Sequence, residues 1–489
     1  MEVKRLYWVI GLLMFISMSL SLRGQNRMYL PFQRQTNAPI QNNLDTLGSN
    51  FHPDVYPYQT QDVDSSEWFR QVYQSAFFSD KFFLDLTLNK KSPEYPIKLS
   101  VSPIGEFLTG FESGRDAKTF LQTGIGLNFS AMVGRTLDVN INVMGSNSSF
   151  PSFVESFIFN QNVVPGQGWG YKSDLGYYYN NSNGYISYSP IKYFNFTVGR
   201  GKNKFGDGYR SLLLSDAGNN YNYFRIVTNI WKFKYVNLFA QMDDVYDVPG
   251  APDTRNKKYS TTHYLSINIK RRWSIGLFET VQWMGQDSVI DRGFDPYYLN
   301  PIIFYRAIEF ETGQGAGNAV LGATAKYKAN DNINIYSQFV LDEFSLGDIK
   351  GGKKSWKNKY GYQIGAKYYN AFKVDNLFLQ LEYNRVRPYT YSHNTIVLNY
   401  GHNNQSMAHL WGANFSEFIL IGRYHYKRWF GNAKFIFGTR GFDFNNGTDD
   451  FSYGGDIYRN YNDRPFDTGV KVGQGIKTTT FNGNLQVGS

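Results

Sequence analysis

The sequence has no cysteine in 489 residues. That absence excludes disulfides, thiolate metal sites and a lipid-modified cysteine. It also lacks any long apolar run beyond residue 20, and a membrane-spanning helix needs about 20 consecutive apolar residues. A concentrated basic arm is missing too: the formal net charge is +10, yet Lys and Arg are scattered among turns and segment ends. That scatter argues against nucleic acid as a partner and suits an anionic membrane surface or an acidic polymer.

What is there begins with an export signal. Lys4 and Arg5 precede the apolar run Leu6 to Leu20, and Ser21-Leu22-Arg23-Gly24 offers a small residue before Gln25, so residues 1–24 read as a signal peptide cleaved near Gly24. Export without a spanning helix leaves the periplasm, the outer membrane or the medium. About fifteen short segments then alternate apolar with polar residues. Leu137, Val139, Ile141 and Val143 interleave with Asp138, Asn140 and Asn142; Leu265, Ile267 and Ile269 with Ser266, Asn268 and Lys270; Leu377, Leu379 and Leu381 with Gln380 and Glu382. Such strands show one face to oil and one to water, and in a bilayer they must close into a barrel.

The connections separate this pattern from a soluble sandwich. Short turns are expected at Gly134-Arg135, Pro190-Ile191, Lys232-Phe233, Arg271-Arg272, Ala329-Asn330-Asp331, Phe372-Lys373 and Phe430-Gly431. Long segments lie between them, at 145–182, 201–221, 244–258, 284–317, 344–358, 387–414 and from 441 onward. Brief turns on one side and long loops on the other are the arrangement of outer-membrane barrels. Aromatic residues make 18% of the chain and cluster with basic residues beside the short turns, as in Trp231-Lys232-Phe233-Lys234 and Lys427-Arg428-Trp429-Phe430, forming an interfacial girdle. The mean hydropathy of -0.43 resembles that of a soluble protein because a polar lumen and polar loops dilute the outer band.

The reading is therefore all-β: a transmembrane antiparallel up-and-down β-barrel of about 16 strands over 98–489, in the outer membrane of a Gram-negative cell. Residues 25–97 form an extended periplasmic lead-in with one short helix, capped by Asp64 or Ser65 and carrying Trp68, Phe69, Val72 and Tyr73 at i, i+4 spacing. Fifteen strands run from near Lys98 to near Arg440, and Ile476 to Gln486 supplies another. Because the chain ends without a terminal aromatic residue, a truncated sequence is expected, the complete barrel having about 18 strands.

Three blocks carry a family resemblance. Phe205-Gly206-Asp207-Gly208-Tyr209-Arg210-Ser211-Leu212-Leu213-Leu214-Ser215-Asp216, followed by Asn219 and Asn220, resembles the loop of Wzi-type outer-membrane capsule-assembly proteins. Asp295-Pro296-Tyr297-Tyr298-Leu299-Asn300-Pro301 through Glu309, and Asn399-Tyr400-Gly401-His402-Asn403-Asn404-Gln405 through Asn414, resemble their relatives described as gliding-motility protein RemB. The resemblance implies a non-enzymatic barrel that binds capsular or other surface polysaccharide and helps attach it, with outer-membrane lipid as its other partner and no cofactor. A component of gliding or adhesion machinery, with gliding or secretion proteins as partners, is the alternative; a passive porin is a second.

Candidate glycan ligands are Arg210, Asp216, Asn219, Tyr298, Asn300, Arg306, Glu309, Tyr400, His402, Asn403, Gln405 and Trp411. Sugar rings present apolar C–H faces ringed by hydroxyls, so aromatic platforms beside amides, carboxylates and guanidinium groups are the chemistry sought. Two alternatives stand beside that one: a polar loop packed by its own aromatics, and a lumenal charge ladder in which Arg210, Arg306, Glu309, Glu382, Glu417 and Arg423 pair with one another. The glycines of 199–208 lack the Gly-Lys-Ser/Thr ending and following helix of a phosphate loop, and suit a tight loop folded into the lumen. Ser416 and His425 lie about 30 Å apart along one strand at ~3.3 Å per residue, too far for a nucleophile and its base. Asp443, Asn445, Asn446, Asp449 and Asp450 lack calcium-loop spacing and read as a solvated loop.

Overall fold

The computed structural model describes residues 29, 30, 41, 44–60, 84–86 and 97–488, apart from 115–116, 135, 244–256, 286–292, 294, 305–316, 344, 428 and 445–449. The expected signal peptide and the helix expected over 64–73 fall on residues outside the described ones. No described helix is long and apolar enough to cross a membrane.

Sixteen long strands make the wall. They are β1 (Ile97–Glu112), β2 (Lys118–Val133), β3 (Leu137–Ser148), β4 (Asn183–Ile191), β5 (Phe194–Gly201), β6 (Tyr221–Ile230), β7 (Phe233–Asp243) and β8 (Lys257–Ile269). There follow β9 (Trp273–Met284), β10 (Asn318–Lys328), β11 (Ile333–Glu343), β12 (Lys359–Tyr368), β13 (Leu377–Val386), β14 (Phe415–Tyr426), β15 (Trp429–Phe442) and β16 (Ile476–Gly488). Each pairs antiparallel with the next, Leu84–Leu86 pairs with β1, and the sheet rolls into a barrel. No described ladder joins β16 to the β1 end.

Alternation sorts the side chains as the bilayer requires. Ile141, Val143, Ile335, Phe339, Ile364, Leu381, Phe418 and Leu420 are exposed on the outer face, while Tyr264, Gln338, Gln363, Glu382 and Glu417 are buried inside. At the short-turn end Trp231, Trp273, Phe372 and Trp429 are exposed, and Lys232 and Lys427 lie over the rings of Trp231 and Tyr426 at 5.0 and 5.4 Å. Two turns differ from the expected position: Pro190-Ile191 closes β4, and the chain reverses at Lys192-Tyr193 instead. The second falls between β14 and β15, where Lys427 takes the left-handed φ of 54° and Phe430-Gly431 lie within β15. Ser416 and His425 both lie on β14, as their rejection as a catalytic pair assumed.

The lumen is filled. Leu212, Leu213 and Leu214, from the connection after β5, pack against Val236, Leu238, Phe278, Val320 and Val340 of the inner wall. Residues 44–60 enter from the short-turn end, where the Leu47 amide donates to Asp331 Oδ1 at 2.9 Å. Val55–Tyr56 then pairs with Lys204–Phe205 in a two-stranded ladder. The extended lead-in expected from sequence is thus, over 44–60, a plug. Its Asp45 and Asp54 meet Lys326 at 3.0 Å and the Tyr264 hydroxyl at 2.6 Å, so the segment is held by buried charge that no periodicity displays. The helix α1 (Ser152–Gln161) lies in the first long connection, which the sequence marks only as a loop.

Candidate functional site

The lumenal loop is positioned by two glycines. At Gly206, with φ of +115°, a Cβ would come within 1.5 Å of Gln338 Nε2; at Gly208 it would meet Gln363 Oε1 at 2.4 Å and Glu382 Oε2 at 2.7 Å. Their role is close backbone approach to the wall, not a phosphate cradle. Glu382 accepts the Tyr209 and Arg210 amides at 2.6 and 3.0 Å and the Tyr336 hydroxyl at 2.7 Å.

That docking brings Arg210 to Glu417, which is fully buried, at 3.1 Å. His409 closes the group: Nδ1 accepts the Trp411 amide at 3.1 Å and Nε2 donates to Glu417 at 2.7 Å. Burial pushes the His409 imidazole below its ordinary value against the pull of Glu417, and with both nitrogens engaged it is no general base. Arg210, Asp216, Tyr209, Ser215 and His409 line a cavity of about 120 Å³, below the roughly 300 Å³ at which small-molecule pockets begin. Two of the expected ligands, Arg210 and Asp216, therefore share one small chamber. The Arg210–Glu417 pair belongs to the expected charge ladder, while Arg306 and Glu309 lie outside the described residues.

The other expected ligands of the 387–414 connection lock loops together. Gln405 accepts the Gly166 amide at 2.6 Å and donates to Gln167 O at 2.8 Å. His402 accepts the Asp243 amide at 3.0 Å and contacts Asn220 O at 3.2 Å, and burial takes its imidazole down to about 4. Tyr400 packs on Tyr391 with ring centroids 5.8 Å apart, and Asn403 and Asn219 are buried. Trp411 stands edge-on to Phe415, ring centroids 5.6 Å apart.

Tyr298 and Asn300 are elsewhere, outside the barrel. On the outward faces of β7, β8 and β9, Asn237, His263 and Glu279 form a cross-strand row, all buried, with His263 Nδ1 2.8 Å from Asn237 Oδ1. Residues 296–304 cover the row like a strap. Tyr298 stacks on Trp283 at 4.0 Å and 8° and accepts the Thr261 hydroxyl at 2.8 Å; Pro301 O accepts from Tyr235 and Glu279 accepts the Phe304 amide. Asn300 turns its side chain back onto the Ile302 amide at 3.0 Å. Asp443 and Asp450, read as a solvated run, pair with Arg459 at 3.5 and 2.9 Å.

Sequence reasoning missed His409, the Asp45–Lys326–Asp207 bridge, and a rim pocket bounded by Asp342, Glu343 and Trp356. The available signal for the last was the basic-aromatic stretch Lys353-Lys354-Ser355-Trp356-Lys357 inside the 344–358 loop.

No protein-family model and no curated protein matches this chain. Among solved structures it is similar to Wzi, an Escherichia coli outer-membrane protein, with a TM-score of 0.52 and 11% identity over 95% of this chain and 96% of that one. Salmonella typhi OmpF matches at a TM-score of 0.38 with 9% identity, covering 81% of this chain and 98% of the other. A porin of Rh. blastica matches at 0.33 with 10% identity, covering 69% and 94%. At such identities the likeness to Wzi establishes the fold: this chain is an outer-membrane type of β-barrel.

Proposed function

We propose that this chain is a non-enzymatic outer-membrane barrel that binds surface polysaccharide of the capsular kind and helps hold it at the cell surface. The observation that carries the reading is the filled lumen, in which Leu212, Leu213 and Leu214 and the 44–60 segment occupy space that a pore would leave to water. A barrel so occupied offers its long loops as the working surface. Those loops are cross-tied through Gln405 and His402 and mix aromatic rings with amides and carboxylates, the combination a sugar ring favours. The 120 Å³ chamber beside Arg210 and Asp216 has room for one substituent of a sugar, so a chain would lie across the mouth with only an acidic or hydroxyl group reaching Arg210. Wzi, described as a carbohydrate-binding barrel involved in group 1 capsule assembly, agrees in kind.

The test is deletion of the gene in its host, followed by a count of cell-associated against released capsule. Release is expected, and restoration by the wild-type gene but not by Asp216→Ala with Trp411→Ala. Normal retention would overturn the reading. Normal retention with altered spreading would favour the gliding alternative, and steady conductance in planar bilayers the porin one.

A further inference from the structure

We infer that the long-loop rim between β10 and β11 carries a site for the hydroxyl- or amine-bearing head of an outer-leaflet glycolipid. The inference rests on the barrel's place in a membrane and is independent of the polysaccharide reading.

The site is made by a β-bulge. Leu341 pairs with Tyr360 and Glu343 with Lys359, leaving Asp342 as the extra residue on β11. Bulges at barrel rims re-aim side chains, and this one turns an apolar wall into a polar ledge within two residues. A pocket of about 340 Å³ opens there, within the size range of small-ligand sites, which begins at roughly 300 Å³. Its floor is Ala319, Leu321 and Leu341, all outward-facing positions. Directly along the same face lie Ala323 and its partner Phe339, the latter exposed in the lipid-facing band. The floor is thus continuous with the surface that meets acyl chains.

The upper wall is Asp342, Glu343, Trp356 and Lys357. Trp356 is held rigidly, with Arg464 4.0 Å over its ring, Tyr461 4.8 Å away and its amide donating to Asp467 O at 3.0 Å. Glu343 is matched by the fully buried Lys359 at 3.2 Å, whose ammonium also lies 4.0 Å over the Tyr461 ring. Asp342 shares the field of that ammonium but makes no close ion pair among the described residues. Its Oδ2 accepts the Tyr391 amide at 2.7 Å, while the buried Oδ1 has no hydrogen-bond partner among the described residues. Burying a carboxylate oxygen without a donor is costly. Neither the Lys357 ammonium nor the Trp356 indole in the wall meets that oxygen, and a ligand bringing hydroxyl or ammonium hydrogens supplies the missing donor. An apolar floor running into the lipid band, below a ledge of two carboxylates, one indole and Lys357, is matched by a molecule with a sugar head and an alkyl tail.

The experiment uses the full chain purified in lauryldimethylamine oxide, with bound copies counted by native mass spectrometry during titration with dodecyl maltoside, free maltose or dodecylphosphocholine. Dodecyl maltoside should be retained at one saturable copy per chain. Asp342→Asn and Leu341→Ser should each weaken it at least tenfold, and Trp356→Phe, which changes no charge, should weaken it as well; heat-modifiable migration on gels identifies the folded variants. Maltose should bind at least tenfold more weakly than dodecyl maltoside. The inference is overturned if both Asp342→Asn and Leu341→Ser bind as wild type. It is overturned as a lipid site if maltose binds as well as dodecyl maltoside and ignores Leu341→Ser. Equal retention of dodecylphosphocholine would reduce it to apolar adhesion and overturn the headgroup.

Discussion

Asp45 and Lys326 lie 281 positions apart in the chain, and their carboxylate and ammonium meet at 3.0 Å inside the barrel. Asp207 approaches the same ammonium, also at 3.0 Å. Lys326 therefore joins three parts of the molecule: the inner wall, the N-terminal plug and the lumenal loop. All three side chains are nearly inaccessible to water. Lys326→Met should cost about 3–5 kcal/mol, because it leaves buried Asp207 without its ion pair and Asp45 with only the longer contact to Lys367 at 3.9 Å. Guanidinium unfolding in detergent micelles checks this, and Asp45→Asn combined with Asp207→Asn should recover much of the loss.

The same bridge sets an acid limit on the plug. Burial alone would raise the Asp45 carboxyl, but Lys326, Lys367 and Lys328 overcome it and hold the group at about 2. An unfolded aspartate titrates near ~3.9, so this depressed group adds stability above that value and loses it as pH falls from about 4 towards 2. Pepsin should cut residues 44–60 faster at pH 2.5 than at pH 4, normalised to a reference substrate. Asp45→Asn should remove most of that difference. Burial moves Asp207 the other way, upward, so its change to Asn should leave the acid limb in place.

The lumenal loop should be sensitive to a single methyl group. Gly206→Ala drives a Cβ into the Gln338 amide and asks alanine for a φ of +115°, a conformation that favours glycine. Displacement of 205–216 should follow. Cells carrying the variant should admit large antibiotics that the wild type excludes, and planar bilayers should record opening events. A silent Gly206→Ala would mean that the loop is not what seals the lumen.

Much of this was legible because the bilayer forces a simple rule on the strands. Leu137, Val139, Ile141 and Val143 declare their face one by one, and the long connections separate themselves by length. The turn at Lys427 was blurred because girdle aromatics flank it on both sides and Gly431 offered a more conventional reversal. Residues 44–60 were opaque for a different reason: they have no period, and their partners lie far along the chain, Phe205 for Val55 and Tyr264 for Asp54. The loop ligands were ambiguous in kind. A Gln405 that satisfies a neighbouring loop's amide and carbonyl is the same residue type that satisfies a sugar hydroxyl, and only geometry separates the two uses.

Arg210 illustrates that overlap and can be dissected. Its guanidinium is mostly buried, and Glu417 opposite it is wholly so. Arg210→Met should destabilise by about 2 kcal/mol, because it leaves the buried Glu417 carboxylate only His409 and Asn384 as partners. Arg210→Met with Glu417→Gln should be milder than the sum of the two single changes, a coupling measured by a double-mutant cycle. If the double variant is stable but retains no glycan, Arg210 serves a ligand as well as the fold.

On the outer wall, the strap makes a sharper demand. Asn237, His263 and Glu279 face lipid by strand parity, yet residues 296–304 bury them and present Leu299, Ile302 and Phe304 outward instead. The Tyr298–Trp283 stack is the clasp. Tyr298→Ala should loosen it, at a cost on the order of 2 kcal/mol from the lost aromatic pair and from polar groups turned towards hydrocarbon. The cost should be larger in phospholipid vesicles than in short-chain detergent, where water reaches the wall. Adding Glu279→Leu should recover part of it in vesicles, since an apolar side chain there no longer needs cover. Equal stability of wild type and Tyr298→Ala in both settings would mean that the row is tolerated bare.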